Sequence, residues 1–507
     1  MKLSKALFSR LFIVGFAILA QLILFLLIIS QLNDYFTLFS AFMNVISFIV
    51  VVAIINRDMI TEAKIPWIII TLLMPVFGTV IYLTFSEYKL SRKQKRTHKA
   101  VAAHIDGYFA EDGKRHFAVQ AKTGKYKGQF EYIRTVSGKN AYENTAARFF
   151  AMGEDFWQSL VEDLKKAERY IFMEYFIVED GVMWESIFEI LRAKAAGGVE
   201  VRFMYDDLGS VNTLPWDFDR IMQKYGIICV KFNPFRPVIS ERHNNRDHRK
   251  ITVIDGKIGY VGGVNIADEY INAKERFGVW KDTAVRLEGE AVLSLAALFL
   301  QGYDAQTEIV EEYAAYLGRR CRVKEAHGVV MPYGDGPRPA YTEYIAENIY
   351  LNLINTAERY IWITTPYLII DSKIENALKN AAMRGVDVRI VTPHIPDKKT
   401  IFALTRSYYK RLTDSGVKIF EYTPGFIHAK QTICDDDIVM VGTVNLDYRS
   451  LIHHYECGVL MYKADCTADI KADFEKLFSV SANMKDFRQR EIVTHFCRIV
   501  TAFTPLL

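Results

Sequence analysis

The chain has 507 residues, of which 50% are hydrophobic and 24% are charged. This length and composition suit two to four domains with large buried cores and exclude a disordered or low-complexity protein. A formal net charge of +4 lacks the basic excess typical of proteins that bind nucleic acid. The six cysteines are scattered without C-x-x-C or zinc-type spacing, so we predict neither a disulfide framework nor a cysteine metal site.

Three N-terminal segments, residues 11–33, 35–56 and 65–86, contain no charged side chain. Each is long enough to cross a hydrocarbon core of ~30 Å as a helix that rises about 1.5 Å per residue. The first apolar run is too long for a signal-peptide core, and no clear A-x-A cleavage site follows it. The pattern therefore predicts a membrane anchor that is retained.

Basic side chains flank this region on both sides and place both flanks in the cytoplasm by the positive-inside rule. Before the region lie Lys2, Lys5 and Arg10, and after it comes a basic run from Lys89 to Lys99. Both placements hold only with an even number of crossings. One segment is therefore expected to be re-entrant or interfacial, and the proline-interrupted segment 65–86 is the candidate.

From about residue 145, apolar β-rich runs alternate with helical stretches, as in an α/β domain. The sequence of events then recurs: residues 167–177 match 357–369, and residues 197–207 match 384–394. An internal repeat of this length predicts two homologous lobes.

These patterns divide the chain into four regions. We predict a membrane-anchoring region at 1–88, a basic juxtamembrane linker at 89–145, a first lobe at 146–335 and a second lobe at 336–507. The Pro- and Gly-rich stretch at 331–339 marks the boundary between the lobes. The stretch from about residue 485 is predicted to form an amphipathic helix.

One motif occurs in both lobes. HRKITVIDGKIGYVGGVN runs from His248 to Asn265, and HAKQTICDDDIVMVGTVN runs from His428 to Asn445. Both fit H-x-K-x4-D-x6-G-x-x-N with identical spacing, and two such matches in corresponding places of a repeat are a strong signal. The shared positions are His248, Lys250, Asp255 and Asn265 in the first copy and His428, Lys430, Asp435 and Asn445 in the second.

The spacing of the motif has a chemical meaning. Residues i and i+2 of a strand face the same way, so each histidine shares a face with its lysine. Lysine and asparagine bind phosphate oxygens, and a histidine can act as nucleophile while a second histidine transfers the proton. Two facing sets predict phosphoryl transfer through a phosphohistidine with no metal or cofactor. Asp282 and Glu456 follow the motifs and either orient the imidazoles or serve as ordinary surface or N-cap carboxylates.

The duplicated motif resembles that of the phospholipase D superfamily, and nearly the whole chain resembles the bacterial cardiolipin synthases. The stretches that carry this resemblance are KIPWIIITLLMPVFGTVIYLTF (64–85), NNRDHRKITVIDG (244–256), GGVNIADEY (262–270), WKDTAV (280–285), ITTPYLI (363–369), RSYYKRL (406–412), GFIHAK (425–430) and GTVNLDYRS (442–450). The sequence departs from some relatives at His454, where they have asparagine.

The resemblance implies an α/β fold of two homologous phospholipase D-like lobes, each a mixed β-sheet flanked by helices, behind an N-terminal transmembrane α-helical region. It implies that two phosphatidylglycerols give cardiolipin and glycerol, with His248 favoured as nucleophile and His428 as acid/base. It also implies a multi-pass protein of the bacterial cell membrane with its lobes on the cytoplasmic side, and an anionic phospholipid bilayer rather than nucleic acid as partner. The phosphate would be held by Lys250, Lys430, Asn265 and Asn445.

Two other readings of the sequence stay open. A hydrolase, either a phospholipase D or a phosphodiesterase, uses the same site and differs only in the acceptor. The membrane anchor and the near-neutral charge argue against a nuclease. A non-enzymatic membrane scaffold is the second alternative, and the presence of both intact motifs argues against it.

Overall fold

The computed structural model describes residues 19–25, 33–85, 92–110, 113–235, 244–338 and 340–506. Lys2, Lys5, Arg10 and Lys89, on which the orientation prediction partly rests, lie outside these ranges, as does much of the predicted segment 11–33. The chain forms two compact units: residues 1–89 with 235–243 and 499–507, and residues 90–234 with 244–498.

Residues 19–25 are helical, and three apolar helices follow within the described residues 33–85: α1 (Asn33–Asn56), α2 (Thr61–Leu73) and α3 (Pro75–Phe85). Within the described residues, one stretch is long and apolar enough to cross a membrane, Thr37–Asn56 in α1. The segment 65–86 is not one spanning helix, because the helix is interrupted at Met74, directly before Pro75. Proline lacks an N–H and disfavours helical backbone in the preceding residue.

Helices α2 and α3 pack closely against each other, and a glycine makes this possible. A Cβ atom on Gly78 would lie only 2.3 Å from the carbonyl oxygen of Ile70. Each of the two helices is too short to span a bilayer, so the described residues provide one candidate crossing rather than several. The prediction of a multi-pass protein thus finds no support beyond α1.

Residues 92–110 and 113–137 are helical, in α4 (Arg92–Ala110), α5 (Gly113–Gln120), a 3-10 helix (Ala121–Tyr126) and α6 (Lys127–Ser137). Val101 and Ile105 of α4 belong to the main hydrophobic core, and Phe130 and Ile133 of α6 are fully buried. The basic juxtamembrane linker predicted at 89–145 is therefore largely a folded part of the second unit. The many basic residues led to the linker prediction, although apolar residues also recur at helical spacing and form a buried face.

The first sheet has seven strands in the order β1-β8-β6-β5-β2-β3-β4. Strands β2, β3 and β4 are parallel neighbours, whereas β5, β6, β8 and β1 pair antiparallel, so the sheet is mixed. The strands are β1 (Thr145–Phe150), β2 (Tyr170–Tyr175), β3 (Glu200–Asp206), β4 (Ile228–Phe232), β5 (Ile251–Ile254), β6 (Ile258–Gly262), β7 (Val279–Lys281) and β8 (Ala284–Gly289), with β7 outside this sheet. The accompanying helices are α7 (Gly153–Leu164), α8 (Val182–Ala196), α9 (Phe218–Gln223), a 3-10 turn (Asp268–Ile271), α10 (Val292–Thr307) and α11 (Ala314–Leu317).

The second sheet has eight strands in the order β19-β13-β12-β10-β15-β16-β18-β9. Its strands and those outside it are β9 (Val329–Asp335), β10 (Tyr360–Thr364), β11 (Leu368–Ile369), β12 (Asp387–Pro393), β13 (Lys418–Tyr422), β14 (Gly425–Ile427), β15 (Gln431–Cys434), β16 (Ile438–Gly442), β17 (Leu446–Asp447), β18 (Glu456–Tyr462) and β19 (Ser481–Asn483). Its helices are α12 (Ile345–Thr356), α13 (Ser372–Met383), α14 (Lys399–Ser407), α15 (Tyr409–Thr413), a π-turn (Arg449–His453), α16 (Thr467–Ser479), α17 (Glu491–Phe503) and a 3-10 turn (Thr504–Leu506).

The two sheets have the same topology. Reversed, the second order reads β9-β18-β16-β15-β10-β12-β13 and matches the first strand for strand, with β19 added at one edge. The prediction of an α/β fold with two homologous lobes is thus confirmed. Strand β9 pairs with β18 and corresponds to β1, so the second lobe begins before Val329 rather than after Asp335.

A single hydrophobic core joins the two lobes. Helix α10 is buried along most of its length, and its core cluster includes Phe172 and Val253 of the first sheet and Val441 and Val459 of the second. The lobes therefore share one interior. Close packing in this core holds the residues between the two sheets in fixed positions.

We expect Phe130→Ala to lower the free energy of unfolding by about 3–5 kcal/mol, because it opens a cavity beneath α6. Thermal unfolding of the detergent-solubilised chain measures this. Lys127→Ala, an exposed position in the same helix, is the control and is expected to have little effect. Equal midpoints for both variants would show that this region is the loose linker that its charge pattern suggested.

Candidate active site

The two motif histidines occupy equivalent places in the two lobes. His248 and Lys250 directly precede β5, and His428 and Lys430 directly precede β15, its counterpart in the second sheet. All four residues are buried. The internal repeat thus places the two motifs at the starts of equivalent strands, β5 and β15, within one unit of the molecule.

Each histidine segment pairs with a strand of the opposite lobe. The amide N–H of His248 donates to the carbonyl oxygen of Tyr455 at 2.9 Å. Strand β14 runs parallel to β7, and the N–H of His428 donates to the carbonyl of Lys281 at 2.7 Å. The backbone of each motif is therefore fixed by the other lobe.

The histidine side chains also form hydrogen bonds to residues of the opposite lobe. Nδ1 of His248 lies 2.9 Å from a carboxylate oxygen of Glu456, and Nδ1 of His428 lies 2.6 Å from one of Asp282. A carboxylate accepts, so each Nδ1 carries the hydrogen and each Nε2 keeps its lone pair for chemistry. This contact is the one that an orienting role for Asp282 and Glu456 requires, with the partners crossed between lobes.

Both carboxylates are held firmly. Glu456 accepts from the hydroxyl of Ser450 at 2.6 Å and from that of Thr443. Burial raises the pKa of Glu456 well above its ordinary value. Asp282 accepts from the N–H of Thr283, and a Cβ on Gly263 would come within 2.0 Å of its carboxylate, so glycine is needed there.

The lysines bring positive charge to the histidines. Nζ of Lys250 donates to the carbonyl oxygen of His248 at 2.5 Å, and Lys430 makes the same contact with His428. Burial is the main cause that lowers the pKa of Lys250 to about 8 and that of Lys430 to about 7. A bound phosphate would restore their charge, because an anion favours the protonated amine.

Both histidines are neutral near pH 7. Burial and the charge of Lys250 lower the pKa of His248 well below 6.5. Burial and Lys430 lower the pKa of His428 to about 4, although Asp282 opposes this shift. Each imidazole can therefore act as a nucleophile or base, and a proton donor arises when negative charge enters the site.

The motif asparagines differ from one another. Oδ1 of Asn265 accepts from the N–H of Ile177, and its Nδ2 donates to the hydroxyl of Tyr270 at 2.7 Å. Asn445 is buried, and its Oδ1 has no hydrogen-bond partner in the described part of the chain. Asn265 thus positions Tyr270, whose ring stands edge-on to His428 at 5.5 Å between centroids.

Asp255 and Asp435, grouped with the catalytic residues from the sequence, lie instead at the hairpin turns after β5 and β15. Both adopt a positive φ of 55°. The carboxylate of Asp255 accepts from the N–H groups of residues 168–170, and that of Asp435 accepts from residues 358–360. The structure gives both residues a structural role at the start of β2 and β10.

Aromatic residues that the sequence analysis did not assign surround the histidines. The ring of Phe176 lies 5.1 Å from that of His248, and the ring of Trp280 lies 5.7 Å from that of His428. Trp280 comes two residues before Asp282, so alternation along a strand was the available signal. These rings shield the site from water.

One group of possible metal ligands occurs among the described residues. His248, His454 and Glu456 bring ligand atoms within 4.8 Å of one another. The charges of Lys250 and Lys430 next to His248 disfavour a cation at this place and favour an anion.

Comparison with known proteins agrees with this geometry. Residues 350–478 match the family model described as cardiolipin synthase, PLD-like domain, and residues 45–87 match the phospholipase D-nuclease N-terminal model. A cardiolipin synthase of Geobacillus sp. is 35% identical over 448 residues, which cover 87% of this chain and 88% of that protein. The chain belongs to the cardiolipin synthase family.

This family membership makes the chain an enzyme of the phosphatidyltransferase class within the phospholipase D superfamily. Another family relative, an uncharacterised protein of Streptococcus mutans, is 44% identical and covers 90% of this chain and 99% of its own length. The crystal structure of phosphatidylserine synthase from Haemophilus influenzae aligns with a TM-score of 0.58 and 16% identity, over 76% of this chain and 100% of that one. At this identity the likeness supports the fold alone.

We expect Asp435→Ala to lower the free energy of unfolding by about 2 kcal/mol or more, because three backbone N–H groups lose their acceptor. Turnover per folded molecule is expected to change little. The thermal midpoint and the specific activity of the folded fraction measure the two effects, with Asp437→Ala in the same turn as control. A loss of activity without loss of stability would show that Asp435 takes part in catalysis, as the sequence analysis predicted.

Proposed function

We propose that the protein transfers a phosphatidyl group from one phosphatidylglycerol to a second, giving cardiolipin and glycerol. The observation that carries this proposal is the pair of buried histidines, each held at Nδ1 by a carboxylate of the opposite lobe. Two neutral imidazoles with free Nε2 atoms supply a nucleophile and a proton carrier in one site. The two lysines supply charge for the phosphate oxygens.

In the first step, Nε2 of His248 attacks the phosphorus of the donor lipid and forms a P–N bond. Nε2 of His428 takes up a proton when the anionic phosphate binds; as the bond from phosphorus to the glycerol oxygen breaks, His428 gives this proton to the departing oxygen. The carboxylate of Glu456 stabilises the positive charge that develops on His248. The choice of His248 as nucleophile follows the resemblance to the family, since the contacts of the two histidines are equivalent in kind.

In the second step, His428 removes the proton from a hydroxyl of the second phosphatidylglycerol. The oxygen attacks phosphorus, the P–N bond breaks, and His248 returns to its neutral form. Asp282 keeps Nδ1 of His428 protonated, so its Nε2 alone exchanges protons. A hydrolase would differ only in that water takes the place of the lipid hydroxyl.

Lipid substrates are consistent with an apolar N-terminal region that anchors the protein to the bilayer. Helix α1 contains the candidate membrane crossing. We place the lobes on the cytoplasmic side because Lys93, Lys95 and Arg96 follow the apolar helices in α4. At this position the basic residues would also lie near anionic headgroups.

We expect the purified protein in detergent to convert phosphatidylglycerol alone into cardiolipin and glycerol, measured by mass spectrometry. His248→Ala and His428→Ala are each expected to lower cardiolipin formation by at least about 10³-fold, because each removes a reacting group. The matched control is His327→Ala, an exposed histidine that pairs with Asp465.

The products separate the competing functions. Phosphatidic acid in place of cardiolipin would identify water as the acceptor and the protein as a hydrolase. Activity that survives in both histidine variants would defeat the catalytic assignment. A phosphorylated peptide that contains His248 in acid-quenched wild type would support the nucleophile assignment, and one that contains His428 would reverse it.

The lysines predict the pH dependence. Their lowered pKa values of about 7 and about 8 mean that positive charge is lost from the free enzyme as the pH rises through this range. We therefore expect kcat/KM for phosphatidylglycerol to change little up to about pH 6 and to fall as the pH rises through 7 and 8. Lys430→Arg keeps its charge and is expected to move the fall to higher pH. A rise in kcat/KM centred near pH 6.5 would instead indicate control by an ordinary histidine.

A further inference from the structure

The C-terminal helix α17 exposes a row of large apolar side chains. The amphipathic helix predicted from about residue 485 begins at Glu491 and ends at Phe503. Ile492, Phe496 and Ile499 are 83%, 64% and 64% exposed. Together with the half-buried Phe503 they are spaced by four, three and four residues, so they form one apolar stripe along the helix. Exposed apolar side chains in such a row mark a surface that another apolar phase covers.

The other two sides of α17 have different surroundings. Cys497 is buried and Val493 is half-buried, on the side that faces the rest of the chain. His495 and Arg498 are exposed and make the opposite side polar. The apolar stripe lies between the packed side and the polar side. A helix that lies in the plane of a membrane surface has an apolar stripe bordered by polar side chains in this way.

Basic residues accompany the apolar stripe. Arg488 and Arg490 precede the helix, Arg498 lies within it, and all three are exposed. Residues 485–503 contain four basic and two acidic side chains, which gives this segment a formal charge of +2. A positive segment of this kind is attracted to the headgroups of anionic lipids.

The end of α17 is attached to the apolar N-terminal helices. Residues Ile499–Leu507 belong to the first unit, together with α1 and α2. The 3-10 turn Thr504–Leu506, which directly follows α17, contacts α2, and Thr504 is buried. The same unit contains the candidate membrane crossing in α1. The apolar stripe thus continues into a part of the chain that the proposed anchor already brings to the bilayer.

The apolar stripe is small for a contact between two proteins. A standard protein interface takes about 20–30 residues from each partner, whereas the stripe offers four side chains. Acyl chains adapt to single side chains and need no complementary surface of that size. An anionic bilayer surface is therefore the occupant that suits both the apolar stripe and the basic charge beside it.

We propose that α17 lies in the bilayer interface, with its apolar stripe among the acyl chains and its arginines near anionic headgroups. This membrane contact is separate from the crossing predicted in α1, and it does not depend on the proposed reaction. It holds the C-terminal end of the unit that contains the two motif histidines at the surface where lipid substrates diffuse.

The test measures the depth of a nitroxide spin label on the full chain in nanodiscs of phosphatidylcholine and phosphatidylserine. Phosphatidylserine supplies anionic headgroups without being the proposed substrate. The label is attached at Phe496→Cys in a chain that carries Cys321→Ser. The same chain without the added cysteine is the blank, because the five other cysteines are buried. Collisions of the label with oxygen, which concentrates among the acyl chains, and with a water-soluble nickel chelate report its depth.

The label at Phe496→Cys is expected to lie about 5–10 Å below the level of the lipid phosphates. The matched control is His495→Cys on the polar side, where the label is expected at or above that level. Ile492→Cys, a second position of the apolar stripe, is expected to match Phe496→Cys and replaces it if that chain does not fold. In Arg488→Gln/Arg490→Gln, and in nanodiscs of phosphatidylcholine alone, the label at Phe496→Cys is expected to lie closer to the water.

Each result decides the proposal. A label at Phe496→Cys that the nickel chelate reaches as readily as the label at His495→Cys overturns it. Spectral broadening at Phe496→Cys that disappears on dilution with unlabelled chain shows that a second copy covers the stripe, which also overturns it. Equal depth in neutral and anionic nanodiscs overturns the role of the arginines. Since the nanodiscs contain no phosphatidylglycerol, these results do not depend on whether the protein makes cardiolipin.

Discussion

The structure depends on an exchange of hydrogen bonds between its two lobes. His248 of the first lobe is oriented by Glu456 of the second, and His428 of the second by Asp282 of the first. Neither lobe alone holds a histidine in the correct tautomer. The exchange therefore requires both sheets to fold onto one core, and it explains why helix α10 and residues of both sheets share a single hydrophobic cluster.

Burial sets the electrostatic character of this site. Two lysines and two imidazoles lie together out of water, so the lysines have lowered pKa values and the histidines are neutral. These buried basic groups lack a negative partner, and a bound anion would provide one. The phosphate of a lipid would supply the missing charge, and the energy of binding it is then available where the reaction takes place.

The duplicated motif gives the site a symmetry that its surroundings break. The matching backbone positions carry Arg246 and His454 on one side and Phe426 and Trp280 on the other. The proposed reaction, with one donor and one acceptor, gives the two histidines different tasks, and such a difference in surroundings is what it would need. The repeat supplied equivalent frames, and the side chains outside the motif distinguish them.

The sequence by itself determined the repeat, the two lobes and the equivalent positions of His248, Lys250, His428 and Lys430 in them, although it set these residues within strands and the structure puts them just before the strands begin. These features follow from local periodicity and matched spacing, which a single chain displays directly. It grouped Asp255 and Asp435 with them, because constant spacing does not distinguish a residue of the turn from a residue of the site.

Only the tertiary structure decided the rest. The partners of His248 and His428 lie 208 and 146 residues away, and no local pattern says which carboxylate crosses to which lobe. The helices of residues 92–137 were missed since their basic surface resembled a linker, while their apolar face becomes meaningful only against the core. Long-range packing fixes these features because contacts distant in sequence compete with, and here override, the local signal.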